Sequence, residues 1–181
     1  MNQKQLDELQ IVIAGCINNN RVAQEKLYNM FYPKMVKTAI RYSVDMHQAE
    51  DILSMSFLKC FQSIDKYAFN GSFEGWLRKI VIRTALDSIR VSKKHNHNYN
   101  VVPLDNDDLI GVNDNDVAYY DQLIQLVNTL PKMAKDVFNL SVMEGYPHKQ
   151  IAAMLGISEG TSKWYLSEGR KTLRAKIKQL K

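Results

Sequence analysis

The sequence predicts an all-α protein made of two small helical domains, separated by a segment of different character. Apolar residues recur at helical spacing in residues 1–94 and again in residues 119–181. No stretch alternates between apolar and polar residues for long enough to favour a strand. The length of 181 residues suits one ordinary domain or two small ones, so the interruption at residues 95–118 favours two.

Four helices are predicted in the N-terminal domain, covering about residues 5–17, 22–39, 46–64 and 73–90. Pro33 falls inside the second of them and predicts a bend or break there. Asn70-Gly71 marks the turn before the fourth helix. The third helix is expected to bury Ile52, Leu53, Phe57, Leu58, Phe61 and Ile64.

Charge is segregated along the chain. Residues 1–94 carry 14 Lys/Arg against 9 Asp/Glu, and residues 119–181 carry 10 against 5, so each block has a net charge of +5. Residues 95–118 carry five Asp and no Lys or Arg, which predicts a flexible acidic linker. Two basic blocks around an acidic spacer favour nucleic-acid binding, although basic blocks are often only solvated surfaces.

Residues 148–166 have the pattern of a helix-turn-helix. Ala152 supplies the small residue that the first helix needs where the second crosses it, and Gly156 allows a sharp turn four residues later. Ile157 is expected to pack into the corner, and Ser158 can cap the second helix. An ordinary helical hairpin with a basic surface is the alternative, but it does not explain why all these residues fall at the expected offsets.

The second helix of this motif is predicted to contact DNA. Leu166 and Leu173 can fix it to the domain core, whereas Ser162 stands where a buried Val or Ile is more usual, which predicts looser packing or a slight rotation. Hydroxyl and basic groups near the start of a helix suit phosphates and base edges in a major groove. The residues expected to contact DNA are Ser158, Thr161, Lys163, Trp164, Ser167, Arg170 and Lys171.

The fourth helix combines aromatic and basic residues on one side. Trp76, Lys79, Arg83 and Arg90 lie at offsets 0, 3, 7 and 14, which places them on a single helical face. Aromatic rings interleaved with cations suit single-stranded DNA, because rings stack on bases while cations hold the backbone. An aromatic stripe at helical spacing is also common in a core, so this pattern alone leaves both interpretations open.

The composition disfavours a membrane or secreted protein. No apolar run approaches the roughly 20 residues that a bilayer span needs, and the first five residues lack the pattern of a signal peptide. Cys16 and Cys60 lie among apolar neighbours and are expected to be buried free thiols in a reducing compartment. We therefore expect a cytoplasmic protein without membrane insertion, and no cofactor or metal.

Both halves, in this order and at this length, resemble the extracytoplasmic-function sigma factors of the sigma-70 family. Residues 48–61 (QAEDILSMSFLKCF) resemble the family's polymerase-binding helix, with Met55-Ser56 in place of a frequent Gln-Glu. Residues 69–77 followed by Ala85-Leu86-Asp87 resemble its −10 promoter-melting element. Residues 130–174 resemble its −35-reading domain.

The resemblance implies a subunit that binds core RNA polymerase, recognises the −10 and −35 elements and promotes DNA opening, and that is not an enzyme. Residues 1–94 would form the region 2 domain, residues 95–118 the linker and residues 119–181 the region 4 domain. An anti-sigma factor, in this family often membrane-anchored, is implied as a further partner. Polymerase contacts are implied for Glu50, Asp51 and Phe57, and −10 contacts for Phe69, Asn70, Ser72, Phe73, Trp76, Lys79, Arg83 and Arg90.

Two other interpretations compete with this one. A two-domain transcription regulator accounts for residues 119–181 equally well and predicts autonomous duplex binding, but leaves the basic face of the fourth helix unexplained. A metal-dependent hydrolase could use His47, Glu50 and Asp51, since His47 and Asp51 are four residues apart on a helix. It lacks a second ligand cluster, so a solvated pair is the simpler interpretation.

Overall fold

The computed structural model describes residues 3–92 and 122–179, with side chains described for residues 5–88 and 122–178. The chain divides into two compact units, one ending at Asn100 and the other beginning at Val101. All regular structure in the described ranges is helical, which confirms the predicted class. The predicted linker, residues 95–118, lies outside these ranges. None of the helices within them has both the length and the apolar character that crossing a bilayer requires.

The N-terminal unit is a bundle of four α-helices, α1 (Gln3–Ile17), α2 (Arg21–Tyr42), α3 (Met46–Ser63) and α4 (Phe73–Ser92), with a 3₁₀ turn at Ile64–Lys66. Helix α2 packs against the other three, and α3 also packs against α4. Side-chain caps fix two of the helix starts. The Asn20 side chain accepts a hydrogen bond from the Ala23 amide, and Asp45 accepts one from the Gln48 amide at 2.7 Å.

Helix α2 is continuous through Pro33, so a break there is wrong, while the bend stays a prediction. Pro33 is exposed, and water can therefore satisfy the one backbone carbonyl that the missing amide leaves free. The buried side of α2 includes Leu27 and Met35, both completely shielded from solvent. Burying side chains of this size contributes about 1.5–3 kcal/mol each, so the two together offset the cost of about 3 kcal/mol that a proline has inside a helix.

Both cysteines lie in the N-terminal unit as free thiols. Cys16 on α1 and Cys60 on α3 are almost completely buried, as predicted. Burial raises the pKa of both thiols, that of Cys60 to about 12, because the apolar interior disfavours the thiolate.

The C-terminal unit contains α5 (residues 122–128), α6 (Lys132–Phe138), a π-helical turn (Asn139–Met143), α7 (His148–Leu155) and α8 (Glu159–Gln179). Pro131 and residues 145–147 separate successive helices, as the sequence predicts. Helices α6 and α7 both pack against the long helix α8. Their core contains Val127, Leu130, Ala134 and Leu173, with Leu126, Phe138 and Tyr165 packed around it.

Candidate nucleic-acid interface

One side of α3 presents acidic and apolar residues to solvent. Glu50 and Asp51 are exposed, as their expected role requires. Met55 and Leu58 are exposed by 48% and 51%, although Leu58 was predicted to be buried. A helix turns 100° per residue, so these residues cluster within less than half of the helix circumference. We define the α3 face as Glu50, Asp51, Ser54, Met55 and Leu58.

Phe57 does not belong to the α3 face. It is 3% exposed, and its ring centroid lies 4.6 Å from that of Tyr28 on α2. The expectation that Phe57 contacts a partner directly is therefore corrected: its position gives it a packing role between α2 and α3. Exposure of Met55 and Leu58 on this face was not predicted. Their spacing from Asp51, at offsets of four and seven, would have indicated it, because residues so spaced share one side of a helix.

The segment between the 3₁₀ turn and α4 forms a tight loop, which we call the Tyr67–Ser72 loop. Phe69 and Gly71 both have positive φ angles, +56° and +92°. Glycine adopts such a conformation freely, whereas a side chain like that of Phe69 costs about 1–2 kcal/mol there. Despite this strain the Phe69 ring is 54% exposed, so burial of that ring in the core does not account for the conformation. A strained, exposed aromatic residue is typical of a functional loop.

Aromatic rings connect this loop to α4. The Tyr67 ring lies 4.8 Å from Phe69, 5.2 Å from Phe73 and 5.5 Å from Trp76, measured between centroids. Phe73 is only 2% exposed and also contacts Phe31 on α2, so its predicted direct DNA contact is corrected to a core position. Asn70 and Ser72 are exposed on the loop. The Ser72 hydroxyl accepts a hydrogen bond from the Gly75 amide, which caps α4.

The exposed side of α4 continues from the loop with positive charge. Lys79 and Arg83 are exposed, and Trp76 is partly exposed on the same side of the helix. Leu77, Val81 and Ala85 lie on the buried side. The structure therefore places Phe69, Trp76, Lys79 and Arg83 along one surface of this unit, while the side chain of Arg90 lies outside the described residues.

An acidic residue lies near the start of this helix. Glu74 pairs with Lys34 on α2 at 2.7 Å and with Arg78 at 2.8 Å. The hydrogen bond from Lys34 is the main cause that lowers the pKa of Glu74, and Arg78 adds to it. Glu74 thus joins α2 to the first turn of α4 through a group that stays ionised at neutral pH.

The helix-turn-helix is formed as predicted. Gly156 adopts a left-handed φ of +68° at the end of α7, and the amides of Gly156 and Ile157 both donate to the Ala152 carbonyl. The Ser158 hydroxyl accepts a hydrogen bond from the Thr161 amide at 3.0 Å and lies 2.7 Å from the Thr161 hydroxyl. Ser158 therefore caps α8, and Thr161 is partly engaged in the same cap.

Polar packing joins the two helices of this motif. Ser162 is completely buried, and its hydroxyl lies 2.9 Å from Nδ1 of His148 at the start of α7. The expected loose packing at Ser162 is thus wrong, because a hydrogen bond replaces the apolar contact of a larger side chain. Leu166 and Leu173 are buried and fix α8 to the core, as predicted.

The outer side of α8 carries the predicted contact residues together. We define the α8 face as Lys163, Trp164, Ser167, Arg170 and Lys171, all of which are exposed. Trp164 is 58% exposed, with its ring 4.9 Å from that of Tyr165. Lys163 pairs with Glu159 at 2.7 Å, whereas the described residues offer no such carboxylate to Arg170 or Lys171. The face is cationic, with one large apolar side chain available for a base or sugar.

A metal site has little support in the described parts of the chain. No group of three or more His, Cys, Asp or Glu side chains there is arranged to hold a metal ion. His47, Glu50 and Asp51 lie on the first turns of α3, all exposed. Their surroundings are those of a solvated helix start.

Comparison with known families accounts for both units. A Sigma-70 region 2 model matches residues 27–95, and a Sigma-70 region 4 model matches residues 120–173. Together these matches span more than half of the chain, in the order of the family. The chain belongs to the sigma-70 family. This sigma factor is therefore a transcription initiation factor that recognises promoters.

Curated relatives of this sigma factor belong to the extracytoplasmic-function (ECF) group. It is 28% identical to ECF RNA polymerase sigma factor SigE of Mycolicibacterium smegmatis, over 83% of this chain and 60% of that protein. It is 25% identical to SigW of Bacillus subtilis, covering 85% of this chain and 88% of SigW. Identity to SigM of Mycobacterium tuberculosis is also 25%, covering 90% and 81%. The chain thus spans less than two thirds of SigE but most of SigW and SigM.

Solved structures share the fold. CnrH, solved in complex with the cytosolic domain of CnrY, matches with a TM-score of 0.51 and 16% identity, over 93% of this chain and 96% of CnrH. The sigma factor RpoE of Bartonella quintana, solved with the anti-sigma factor NepR, matches with a TM-score of 0.54 and 18% identity, over 85% and 96%. These likenesses support the architecture of this sigma factor.

Proposed function

We propose that this sigma factor binds core RNA polymerase, recognises the −10 and −35 promoter elements and promotes DNA opening, and that it is not itself an enzyme. Residues 1–94 act as the region 2 domain and residues 119–181 as the region 4 domain, with residues 95–118 linking them. The observation that carries the proposal is the exposed Phe69 ring on a strained loop, connected through Tyr67 to the cationic side of α4.

The −10 element interacts with the Tyr67–Ser72 loop and α4. An unpaired base stacks on the Phe69 ring, where Asn70 and Ser72 offer hydrogen-bonding groups. Trp76 contacts the adjacent nucleotide, and Lys79, Arg83 and Arg90 hold the phosphate backbone. Phe73 supports this surface from the core. The strain at Phe69 is present before DNA arrives, so base capture does not have to supply it.

Opening of the promoter DNA is driven by the free energy of binding. Separating about ten base pairs costs on the order of 10 kcal/mol, at roughly 1.4 kcal/mol per stacked step. The sequence contains no Gly-x-x-x-x-Gly-Lys loop for nucleotide hydrolysis. Contacts that exist only with unpaired bases, such as stacking on Phe69, favour the open form over the duplex. The rest of the free energy comes from the assembly with polymerase.

The α3 face is the polymerase-binding surface in this proposal. Its carboxylates, Glu50 and Asp51, lie beside the exposed apolar side chains of Met55 and Leu58. An apolar centre with charged neighbours is the usual composition of a specific protein interface. Phe57 stabilises this helix from behind by packing on Tyr28.

The α8 face reads the −35 element. The N-terminal part of the second helix of a helix-turn-helix enters the major groove, which places Ser158, Thr161 and Trp164 near base edges. Lys163, Ser167, Arg170 and Lys171 continue along the same side of α8 and suit phosphates. The buried bond between His148 and Ser162 holds α8 at a fixed angle to α7.

Regulation by an anti-sigma factor is part of the proposal. CnrH and RpoE, which share this fold, were solved with CnrY and with the anti-sigma factor NepR. We infer a partner of this kind for the present chain, membrane-anchored or free, and a cytoplasmic location for the sigma factor itself. No cofactor is required by any of these roles.

In vitro transcription with purified core polymerase tests the proposal on DNA from the region upstream of this protein's own gene. Initiation at a defined start site is expected only when the sigma factor is added. Core-polymerase association is measured in the same samples, so an inactive promoter is distinguishable from a failed interaction. Absence of both association and initiation, combined with tight binding of the free protein to duplex DNA, would favour the autonomous regulator instead.

A further inference from the structure

Tyr67 occupies the centre of the aromatic cluster beside the Tyr67–Ser72 loop. It directly follows the 3₁₀ turn and is 8% exposed. Its ring contacts Phe69, Phe73 and Trp76, with centroid distances between 4.8 and 5.5 Å. One ring therefore touches the exposed loop residue, the core residue and the partly exposed residue on α4.

The hydroxyl of Tyr67 closes the loop. It donates a hydrogen bond to the Gly71 carbonyl at 2.8 Å, across four residues. Desolvation raises the pKa of this phenol, which keeps the donor proton in place across the physiological range. The ring and the hydroxyl of Tyr67 thus hold two different points of the same loop, Phe69 and Gly71.

These two points are the positions with unusual backbone angles. Phe69 has a φ of +56° and Gly71 a φ of +92°, and a Cβ added at Gly71 would meet nothing within 4 Å. Crowding by neighbouring side chains therefore does not impose the conformation of Gly71. Tyr67 contacts both positions, Phe69 through its ring and Gly71 through its hydroxyl, so it stabilises the strained conformation.

We propose that Tyr67 is a positioning residue that holds the Tyr67–Ser72 loop ready to receive an unpaired base. It is buried and does not itself contact DNA. It keeps the Phe69 ring exposed as a stacking platform, and it links that ring to Trp76 on α4. Without Tyr67 the loop must be ordered at the moment of base capture, and capture weakens by that ordering cost. The inference rests on the proposed function of this loop in −10 recognition.

The test compares Tyr67→Phe with Tyr32→Phe in reconstituted holoenzyme. Tyr67→Phe removes only the hydroxyl and keeps the ring contacts, while Tyr32→Phe removes a phenol hydroxyl from α2 as a matched control. Two probes are used, the mapped promoter as a full duplex and the same promoter with a mismatched bubble at its −10 element. Open-complex formation is followed by permanganate reactivity of unpaired thymines, and core-polymerase affinity is measured separately.

Tyr67→Phe is expected to weaken binding to the bubble probe and reduce opening of the duplex by about 3- to 10-fold, the range of one lost intramolecular hydrogen bond. Core-polymerase affinity should stay within experimental error of wild type, the thermal midpoint should fall by no more than the few degrees that one lost hydrogen bond causes, and Tyr32→Phe should match wild type on both probes. A Tyr67→Phe protein that binds the bubble probe as well as wild type overturns the inference. A loss of bubble binding that comes with an equal loss of core-polymerase affinity also overturns it, because that result assigns Tyr67 an ordinary core role.

Gly71→Ala perturbs the acceptor end of the same hydrogen bond through its backbone, since its φ of +92° suits only glycine. Combined with Tyr67→Phe, it should add less than its separate effect, because both changes act on one loop conformation. Full additivity overturns the inference. If wild-type holoenzyme shows no preference for the bubble probe over the duplex, the proposed −10 function fails instead, and that outcome is visible without any variant.

Discussion

A single hydroxyl joins the two helices of the DNA-reading motif. Ser162 is completely buried on α8, and its only described side-chain partner is Nδ1 of His148 at the start of α7. A partly buried hydrogen bond of this kind contributes about 1 kcal/mol net, and water can reach the partly exposed His148 when its partner is removed. The angle between α7 and α8 therefore depends on a polar contact rather than on the bulk of an apolar side chain.

Ser162→Ala is expected to lower the free energy of unfolding of the C-terminal unit by about 0.5–1.5 kcal/mol, because the hydrogen bond to His148 is lost. Urea unfolding followed by Trp164 fluorescence, in a Trp76→Phe background, measures the change. Ser167→Ala on the exposed side of α8 is the control and should change stability by less than about 0.5 kcal/mol. Equal losses in both variants would contradict the role of the buried bond.

Glu74 makes the N-terminal unit sensitive to acid. Its folded-state pKa is lowered, first by the hydrogen bond from Lys34, so its ion pairs stabilise the fold above its ordinary pKa of 4.5. That stabilisation is lost as the pH falls through the lowered value, when the carboxylate becomes protonated. The sign is therefore a loss of stability towards acid.

Glu74→Gln is expected to be less stable than wild type at neutral pH, with a difference that shrinks as the pH falls below 4.5 and the carboxylate becomes protonated. Urea unfolding followed by Trp76 fluorescence, in a Trp164→Phe background, measures both proteins across that range. A difference that stays constant with pH would show that Glu74 acts through packing rather than through its charge.

At the scale of the element, α3 shows how far periodicity predicts a buried face. Phe57 and Leu58 are adjacent apolar residues, and helical spacing predicted that both are buried. Only Phe57 is, because α2 places Tyr28 against it, while Leu58 turns to solvent. The tertiary neighbour decides between two apolar positions 100° apart, and a single sequence contains no information on that neighbour.

The two residues should respond in opposite ways to substitution. Leu58→Ser is expected to weaken core-polymerase binding by about tenfold or more, since it removes exposed apolar area from the α3 face, with little change in stability. Phe57→Leu should lower the free energy of unfolding by about 1–2 kcal/mol with a smaller effect on affinity. Fluorescence anisotropy with labelled sigma factor measures affinity, and urea unfolding measures stability. The reverse pattern would assign the interface to Phe57.

The helix-turn-helix could be predicted from the sequence almost completely. Gly156 and Ser158 specify their conformations through local chemistry, a left-handed turn and a helix cap, so their roles follow from a few adjacent residues. The conformation of the Tyr67–Ser72 loop could not be predicted in this way. Phe69 and Phe73 are four residues apart and both aromatic, yet Phe31 on α2 buries one and leaves the other exposed. The bond from Tyr67 to Gly71 likewise has no signature in the sequence.

At the scale of the whole molecule, positive charge is divided between the two surfaces proposed to contact DNA. Arg83 lies on the N-terminal unit and Arg170 on the C-terminal unit, and both are exposed. Each phosphate contact releases condensed counterions from the DNA. The slope of log affinity against log salt concentration is therefore proportional to the number of such contacts. Contacts in separate units with no shared partner should contribute independently.

Arg83→Ala is expected to reduce the slope of log affinity against log salt concentration by about 0.7, because its proposed contact is to single-stranded DNA. Arg170→Ala is expected to reduce the slope by about 0.9, the value for a duplex contact, and the double variant by about 1.6. Holoenzyme affinity for promoter DNA, measured over a series of potassium chloride concentrations, tests this. Lys26→Ala is the matched control, because Lys26 pairs with Glu8 on the N-terminal unit and should leave the slope unchanged. A double variant no different from either single one would show that only one of these contacts forms.

Because Cys16 and Cys60 are buried, their reaction with a thiol reagent reports local opening of the N-terminal unit. Both thiols are shielded, their raised pKa values keep them protonated, and the C-terminal unit contains no cysteine. A thiol-specific reagent can therefore modify this sigma factor only after α1 or α3 has separated from its neighbours. The labelling rate, followed by mass spectrometry with and without polymerase, measures how often the N-terminal unit opens locally in the free protein and in the complex.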